Sequence, residues 1–286
     1  PNLLKSISEI NYTKAFFEIL LIDDYSTDNS VEIIEEFKAK NPTINIFILK
    51  NTNIVGSPKK NALATAIKQS KFDWIITTDA DCLVPKNWLQ SFNSFIEINN
   101  PVFIAAPVKY LSKQSFLNRF QQLNFTSLIG STIGSFGINK PILCNGANLC
   151  YLKSSFIKVN GFEGNNKIAS GDDVFLLEKM LKKYPDKVQY LKSKDAIVTT
   201  KPEKSWNQFF NQQLRWAGKS GSYASYFTKL VGVIVFMENL AIVSLIFASF
   251  YSSAYLTVLA VIFILKFSID TILILKTEKS LAIKNS

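Results

Sequence analysis

Apolar positions along the chain follow two regimes that change over near residue 225. Up to that point short apolar runs alternate with stretches of helical period, the pattern of an α/β domain. Phe17 to Ile22 reads as a strand, Asp23 to Asp28 as a polar loop, and Ser30 to Lys40 as a helix with Val31, Ile34 and Phe37 on one face. Ile44 to Leu49 is a second strand. Ser57 and Pro58 supply an N-cap and a first-turn proline for a helix whose inner face is Ala62, Leu63, Ala66 and Ile67. The run Trp74-Ile75-Ile76-Thr77-Thr78 predicts a buried strand ending at Asp79, and Val174 to Leu181 predicts an amphipathic helix. Phe116 to Phe136, with Gly130 and Gly134, fits either a helix lying along a membrane surface or one packed in a core. Asn2-Leu3-Leu4 has a helical pattern from the start.

From about Leu230 the composition shifts. Leu230 to Phe250 and Ala254 to Leu275 are mostly apolar, each long enough to cross a hydrocarbon layer of roughly 30 Å. The expected organisation is a globular domain over residues 1–225 and a membrane region over 226–286, with spans at about 230–250 and 254–275. Glu238 and Asn239 interrupt the first run, Lys266 and Asp270 the second. With a turn near Ser252, Glu238 and Lys266 stand at equal distance from it along the chain. They are therefore expected to pair inside the bilayer, where a lone charge is costly. A soluble hairpin packed on the domain is the alternative reading.

At 286 residues and 48% hydrophobic content the chain can bury a sizeable core, which excludes a disordered or collagen-like protein. The net charge of +10 comes almost wholly from lysine, since arginine occurs only at Arg119 and Arg215. Such a charge suits nucleic acid, an anionic membrane face or phosphorylated substrates, but no aromatic-basic interleaving resembles a nucleic-acid groove, so no nucleic-acid partner is expected. Histidine is absent, so acid–base chemistry falls to carboxylates, lysine or tyrosine, and the usual zinc ligand is missing. Cys82, Cys144 and Cys150 have no C-x-x-C spacing, which suggests neither a disulfide framework nor a zinc site and suits a reducing, cytosolic setting for the soluble part.

Five groups of residues carry candidate chemistry. Asp79 and Asp81 close a strand, and two carboxylates one residue apart at a strand's carboxyl end can hold a divalent cation. Asp23, Asp24 and Asp28 also follow a strand, where they would project at the same sheet edge or form an Asx-type turn and helix cap. Lys59 and Lys60 occupy a helix's first turn, where the dipole disfavours cations by several tenths of a kcal/mol unless an anion binds there; a pair of exposed surface lysines is the plainer reading. Further on, Ser170-Gly171-Asp172-Asp173 opens a helix and Gln212-Gln213-Leu214-Arg215-Trp216 follows an aromatic segment. A guanidinium can clamp a diphosphate with two parallel hydrogen bonds, and an indole face suits a pyranose ring or, equally, a membrane interface. Gln212 lies one helical turn before Trp216, so both can face one cleft.

This ordered set, with Asn145-Gly146-Ala147-Asn148 between its acidic motifs, resembles family 2 glycosyltransferases of GT-A fold, in particular the membrane-bound branch of cellulose, chitin, hyaluronan and poly-N-acetylglucosamine synthases. The resemblance implies an α/β, Rossmann-like domain with a mixed central sheet followed by C-terminal transmembrane helices. It implies inverting, metal-dependent transfer of a sugar from a UDP-sugar to a glycan or lipid-linked acceptor, at a cell membrane (in a bacterium the inner membrane) with the catalytic domain cytosolic. By resemblance Asp24, with Asp23 beside it, meets the uracil ring, and Lys59 contacts the nucleotide. Asp79 and Asp81 hold Mg²⁺ or Mn²⁺. Asn145 and Gly146 belong to an acceptor-side loop, Asp173 is the base with Asp172 next to it, and Gln212, Arg215 and Trp216 complete the substrate site. A polyprenyl-phosphate glycosyltransferase and a non-catalytic membrane scaffold that retains a nucleotide site are the rival readings. Family members begin with an apolar strand and an Arg-Asn-Glu-like turn that this chain does not display, so the expectation is a central sheet short of one strand, an open uridine pocket and weak UDP binding.

Overall fold

A computed structural model describes residues 2–51, 57–111, 115–164, 171–218 and 222–281; Ser170 lies outside them. Strands β1 (Ile19–Asp23) and β2 (Ile46–Lys50) pair in parallel, with Asp23 opposite Lys50, and α2 (Ser30–Lys40) connects them. A second, mixed sheet has the order β3 (Trp74–Thr77), β6 (Leu149–Leu152), β4 (Phe103–Ala105), β7 (Val188–Tyr190). Here β6 runs antiparallel to both neighbours while β4 and β7 are parallel. A third pair, β5 (Val108–Tyr110) and β8 (Val198–Thr200), is parallel and sets Tyr110 opposite Thr200.

The four-stranded sheet is buried on both faces, and the two-residue period of a strand sorts its side chains between two cores. Ile104 and Cys150 point into a core built with α1 (Asn2–Ser8), α4 (Trp88–Asn99) and α5 (Phe116–Gly137), among Leu3, Trp88, Phe92 and Phe125. Phe103, Ala105, Leu149 and Tyr151 point the other way, against Ile67 of α3 (Pro58–Gln69), Phe156 of α6 (Lys153–Lys158) and Leu176, Leu177 and Met180 of α7 (Asp172–Lys183). Asn148 ties the sheet to both flanks: wholly buried, it accepts from Trp88 Nε1 at 2.9 Å and donates to the carbonyls of Pro107 and Ala196 at 2.7 Å each. Every polar atom of that amide is thereby satisfied, as burial demands.

Most predicted elements are found. Helix α2 has the expected limits, and α3 starts at Pro58 and buries Ala62, Ala66 and Ile67. Lys60 departs from the surface reading: it is 2% exposed, with its ammonium 5.3 Å above the Phe175 ring. The turn after β1 holds Tyr25 at φ 60°, a left-handed conformation that costs a side-chain-bearing residue about 1–2 kcal/mol.

The aromatic helix α8 (Trp206–Ala217) is followed by two long helices, α9 (Tyr226–Ala248) and α10 (Ser253–Leu281). Both are long and apolar enough to cross a membrane, and their apolar windows are not buried by the rest of the chain. The tight connection at residues 249–252 sits where the turn was expected. Lys266 Nζ lies 3.5 Å from Glu238 and 3.1 Å from Asp270, so the expected pair is present and a second carboxylate joins it. Helix α10 continues beyond the apolar run, and its last turns bury Thr277 and Leu281 against the domain.

One ammonium between two carboxylates makes the cluster asymmetric. Lys266→Leu leaves two unpaired carboxylates in an apolar setting, whereas Glu238→Leu leaves the Lys266–Asp270 pair. In a membrane-insertion assay Lys266→Leu should cost roughly 3 kcal/mol and Glu238→Leu under about 1 kcal/mol. Equal insertion of the two variants would refute the pairing.

Candidate active site

Asp79 follows β3 after one intervening residue, and its Oδ1 accepts a hydrogen bond from Lys59 Nζ at 2.8 Å. The same ammonium lies 3.8 Å from Oδ2 of Asp172, at the opening of α7. Crowding by protein atoms works against the charge on Lys59, but attraction to Asp172 and then Asp79 outweighs it and holds the pKa above that of an ordinary lysine. A cation in the first turn of α3 is unfavourable by the helix dipole alone; these two carboxylates account for it.

Asp172 and Asp173 take the first turn of α7, where the dipole favours anions, and Gly171 makes the turn into it at φ 86°. Asp173 Oδ2 accepts from the Gly146 N–H at 3.1 Å and its Oδ1 from the Val174 N–H at 2.8 Å. The Gly146 carbonyl accepts in turn from the Thr77 hydroxyl at 2.7 Å, so this loop is clamped between β3 and α7. A Cβ on Gly146 would meet Asp172 Oδ2 at 3.4 Å and the Asp173 Cβ at 3.6 Å, which shows how near the loop comes to both acids. Asn145 turns its side chain to its own segment, accepting from the Ala147 N–H at 3.0 Å.

The two acids after β1 divide. Asp24 accepts from Asn51 Nδ2 at 2.8 Å, and that nitrogen also reaches the Pro58 carbonyl at 3.3 Å, which ties Asp24 to the start of α3 beside Lys59. Asp23 serves its own turn, accepting from the Ser26 N–H, and Asp28 does the same with Ser30, each at 3.0 Å. Those serine hydrogen bonds hold both carboxyls below the usual range. For Asp23 and Asp28 the Asx-turn reading describes the observed contacts.

A second network starts at Asp81. Its Oδ2 accepts from the Thr200 hydroxyl at 3.2 Å. Thr200 faces Tyr110 across the β5–β8 pair, and the Tyr110 hydroxyl donates to Gln212 Oε1 at 3.2 Å. Gln212 Nε2 donates to Glu203 Oε1 at 3.0 Å, and the buried Gln121 amide grips the Glu203 backbone from both sides, at 3.0 and 2.8 Å. Trp216 is half-buried on Phe125, with ring centroids 6.2 Å apart. Arg215 is exposed on the same helix and forms no ion pair among the described residues.

Among the described residues no three Asp, Glu, Cys or His side chains cluster as a metal cage. Asp79 and Asp81 nonetheless fit a hard divalent cation of the Mg²⁺ or Mn²⁺ kind: both offer oxygen only, Asp79 already holds a cation in the form of the Lys59 ammonium, and such ions commonly take one or two carboxylates plus substrate phosphates.

The description "Glycosyl transferase family 2" matches residues 1–159, more than half of the chain. The chain belongs to this family. The match takes in Asp23 through Gly146 and stops short of α7 and α8, so the helices carrying Asp172, Asp173 and the Gln212–Trp216 motif lie beyond it. A poly-beta-1,6-N-acetyl-D-glucosamine synthase of Staphylococcus aureus (strain COL) is 29% identical over 131 residues, covering 44% of this chain and 29% of that protein. The chain thus spans under a third of the length of the curated relatives it matches. Among solved structures, the mannosyltransferase PcManGT from Pyrobaculum calidifontis in complex with GDP-Man and Mn²⁺ has TM-score 0.63 at 14% identity, covering 99% of this chain and 83% of that one. TarS 1–349 of S. aureus in complex with UDP has TM-score 0.53 at 18% identity, with coverages of 78% and 62%. These likenesses establish the GT-A fold with its mixed sheet, as the motif order implied.

Four side chains of this family 2 domain escaped the sequence reading: Asn51, Thr77, Tyr110 and Thr200. Asn51 and Thr200 each stand at a strand's carboxyl end, the position that drew attention to Asp79. Cys82, buried beside the acids, is pushed up to about 11, first by burial and then by Asp81 and Asp79. Its thiolate is therefore scarce until pH approaches that value. Iodoacetamide at pH 8 should leave Cys82 unmodified in the native protein and label it readily in urea, where an ordinary thiol titrates near 8.5. Fast native labelling at pH 8, read by peptide mass spectrometry, would show that this corner is open.

Proposed function

We propose that the chain carries out inverting, metal-dependent transfer of a sugar from a UDP-sugar to a glycan or lipid-linked acceptor, from the cytosolic side of a cell membrane in which α9 and α10 are embedded. The observation that carries this reading is the Lys59 bridge between Asp79 and Asp172. It draws Asp79 at the end of β3 and Asp172 at the start of α7, distant in sequence, to a single cation. The relatives named as poly-N-acetylglucosamine synthases, and a structure of TarS in complex with UDP-GlcNAc, support UDP-N-acetylglucosamine as the first donor to test.

Asp24, steadied by Asn51, is an acceptor for the single ring N–H of a uracil base. Lys59 exchanges its hold on Asp79 for the donor's diphosphate, keeping a positive charge where negative charge grows. A divalent cation held by Asp79 and Asp81 would add Lewis-acid stabilisation of the leaving diphosphate. Asp173, aimed by two backbone N–H groups, takes the acceptor's hydroxyl proton. The acceptor oxygen bonds to the anomeric carbon as the bond from that carbon to the phosphate oxygen breaks, and UDP departs. A single displacement of this kind inverts the centre. Arg215 and Trp216 lie on α8, with the exposed guanidinium free to meet the diphosphate and the indole to bound the acceptor.

In membranes from cells that make the protein, Asp173→Asn should cut sugar transfer from UDP-N-acetylglucosamine by at least about 100-fold while leaving UDP affinity within about two-fold. Chelation should abolish parental transfer, and Mn²⁺ should restore it. Undiminished transfer by Asp173→Asn, or transfer that ignores chelation, overturns the mechanism. Labelled sugar found on a lipid monophosphate would move the acceptor assignment to polyprenyl phosphate.

A further inference from the structure

The apolar hairpin is fastened at both ends to the helices that bear the site. At its entry, Glu178 of α7 accepts from the backbone N–H groups of Ala224 at 3.0 Å and Ser225 at 2.9 Å. Ser225 is the N-cap of α9, so the carboxylate satisfies donors left bare at a helix start, where an anion is favoured. The buried Tyr223 packs edge-on against Phe175, ring centroids 5.8 Å apart, in one cluster with Val174. Val174 and Phe175 directly follow Asp173.

At its exit the last turns of α10 bury Thr277 and Leu281 against the domain. The fit to α5 depends on Gly130: a Cβ there would come 2.4 Å from Thr277 Oγ1 and 3.0 Å from Leu273 Cδ1. Phe125, little more than a turn earlier on α5, packs on Trp216 and, with centroids 4.4 Å apart, on Tyr110, the donor to Gln212. One end of the hairpin is thus tied to the helix of Asp173 and the other to the support of Gln212 and Trp216.

We propose that Glu178 and Gly130 are positioning residues and that the hairpin is a strut that sets the separation of Asp173 from the acceptor wall on α8. This rests on the reading of Asp173 as base. Asp24, Lys59, Asp79 and Asp81 meet the donor from β1, β3 and α3, and only Arg215 reaches it from α8, so loosening the strut should largely spare the nucleotide and misalign the acceptor. A misplacement of about 1 Å in such a geometry costs up to roughly 100-fold in rate. Water, needing no such alignment, would take a larger share of the donor.

The experiment measures transfer, UDP-sugar hydrolysis and UDP affinity for the parent, Glu178→Ala, Glu178→Gln, Gly130→Ala, the double variant Gly130→Ala/Thr277→Ala and the apolar-surface control Val243→Ala, all in native membranes. Expected are a loss in transfer kcat of about ten-fold or more for Glu178→Ala and Gly130→Ala, UDP affinity within about two-fold, and a raised ratio of hydrolysis to transfer. Glu178→Gln, which keeps one acceptor oxygen, should lie between, and the double variant should recover part of the transfer because the nearest clash, with Thr277 Oγ1, is removed. Unchanged transfer in Glu178→Ala and Gly130→Ala overturns the proposal, as does a parallel loss of UDP affinity and transfer, which marks a merely structural role. A parent that transfers no sugar at all overturns the functional reading, and this inference with it; an active parent with indifferent variants sinks the strut alone.

Discussion

Carboxylates gathered at one place repel one another unless a cation sits among them, and here the ammonium of Lys59 meets that condition for Asp79 and Asp172. The arrangement joins three separate stretches of chain: the end of β3, the start of α3 and the start of α7. It also leaves the lysine held between acids partly desolvated and aimed, as the proposed binding of an anionic donor would require. On the proposed function, an incoming diphosphate would compete with Asp79 for this ammonium, and the acid so released would be free to take up a metal.

Around that pairing the fold contributes rigidity through side chains that grip backbone groups. The Gly146 loop is gripped by its carbonyl and its N–H at once, from Thr77 and from Asp173. Asn148, two residues on, locks the same stretch to Trp88, Pro107 and Ala196. Asp173, the base on the proposed function, is oriented by fixed peptide N–H groups and so would lose little on reaching the reacting geometry, which is the advantage of preorganised dipoles over mobile ones.

Much of this was legible in the sequence where the signal is local. The limits of α2, the Ser57–Pro58 start of α3, the strand running into Asp79 and the Glu238–Lys266 pairing all follow from periodicity, capping or equal spacing about a turn. What stayed hidden is long-range or brief. The three-residue strands β5 and β8 are too short for a period-two pattern, so the route from Asp81 through Thr200 and Tyr110 to Gln212 could not be read. Lys60 looked like surface because charge in a first turn usually is; a tertiary contact with Phe175 drew it inward. Helix α10 runs on past the expected span of about 254–275, because Lys276, Glu278 and Lys279 end the apolar run while nothing there breaks the backbone helix. Asp24 and Asp23 carry the same side chain side by side, and only the three-dimensional turn separates the one facing Asn51 from the one facing Ser26.

Leu281, close to the finish of α10, belongs to the same hydrophobic cluster as Leu3, Ile7, Trp88 and Phe125. One of the two cores of the globular part is therefore closed by a residue that arrives only after both apolar helices. Fully burying a leucine contributes about 1.5–3 kcal/mol, a sizeable fraction of a domain's net stability. Excising the hairpin to obtain a soluble enzyme would thus uncap the core, and the last turn of α10 would have to be grafted back to close it.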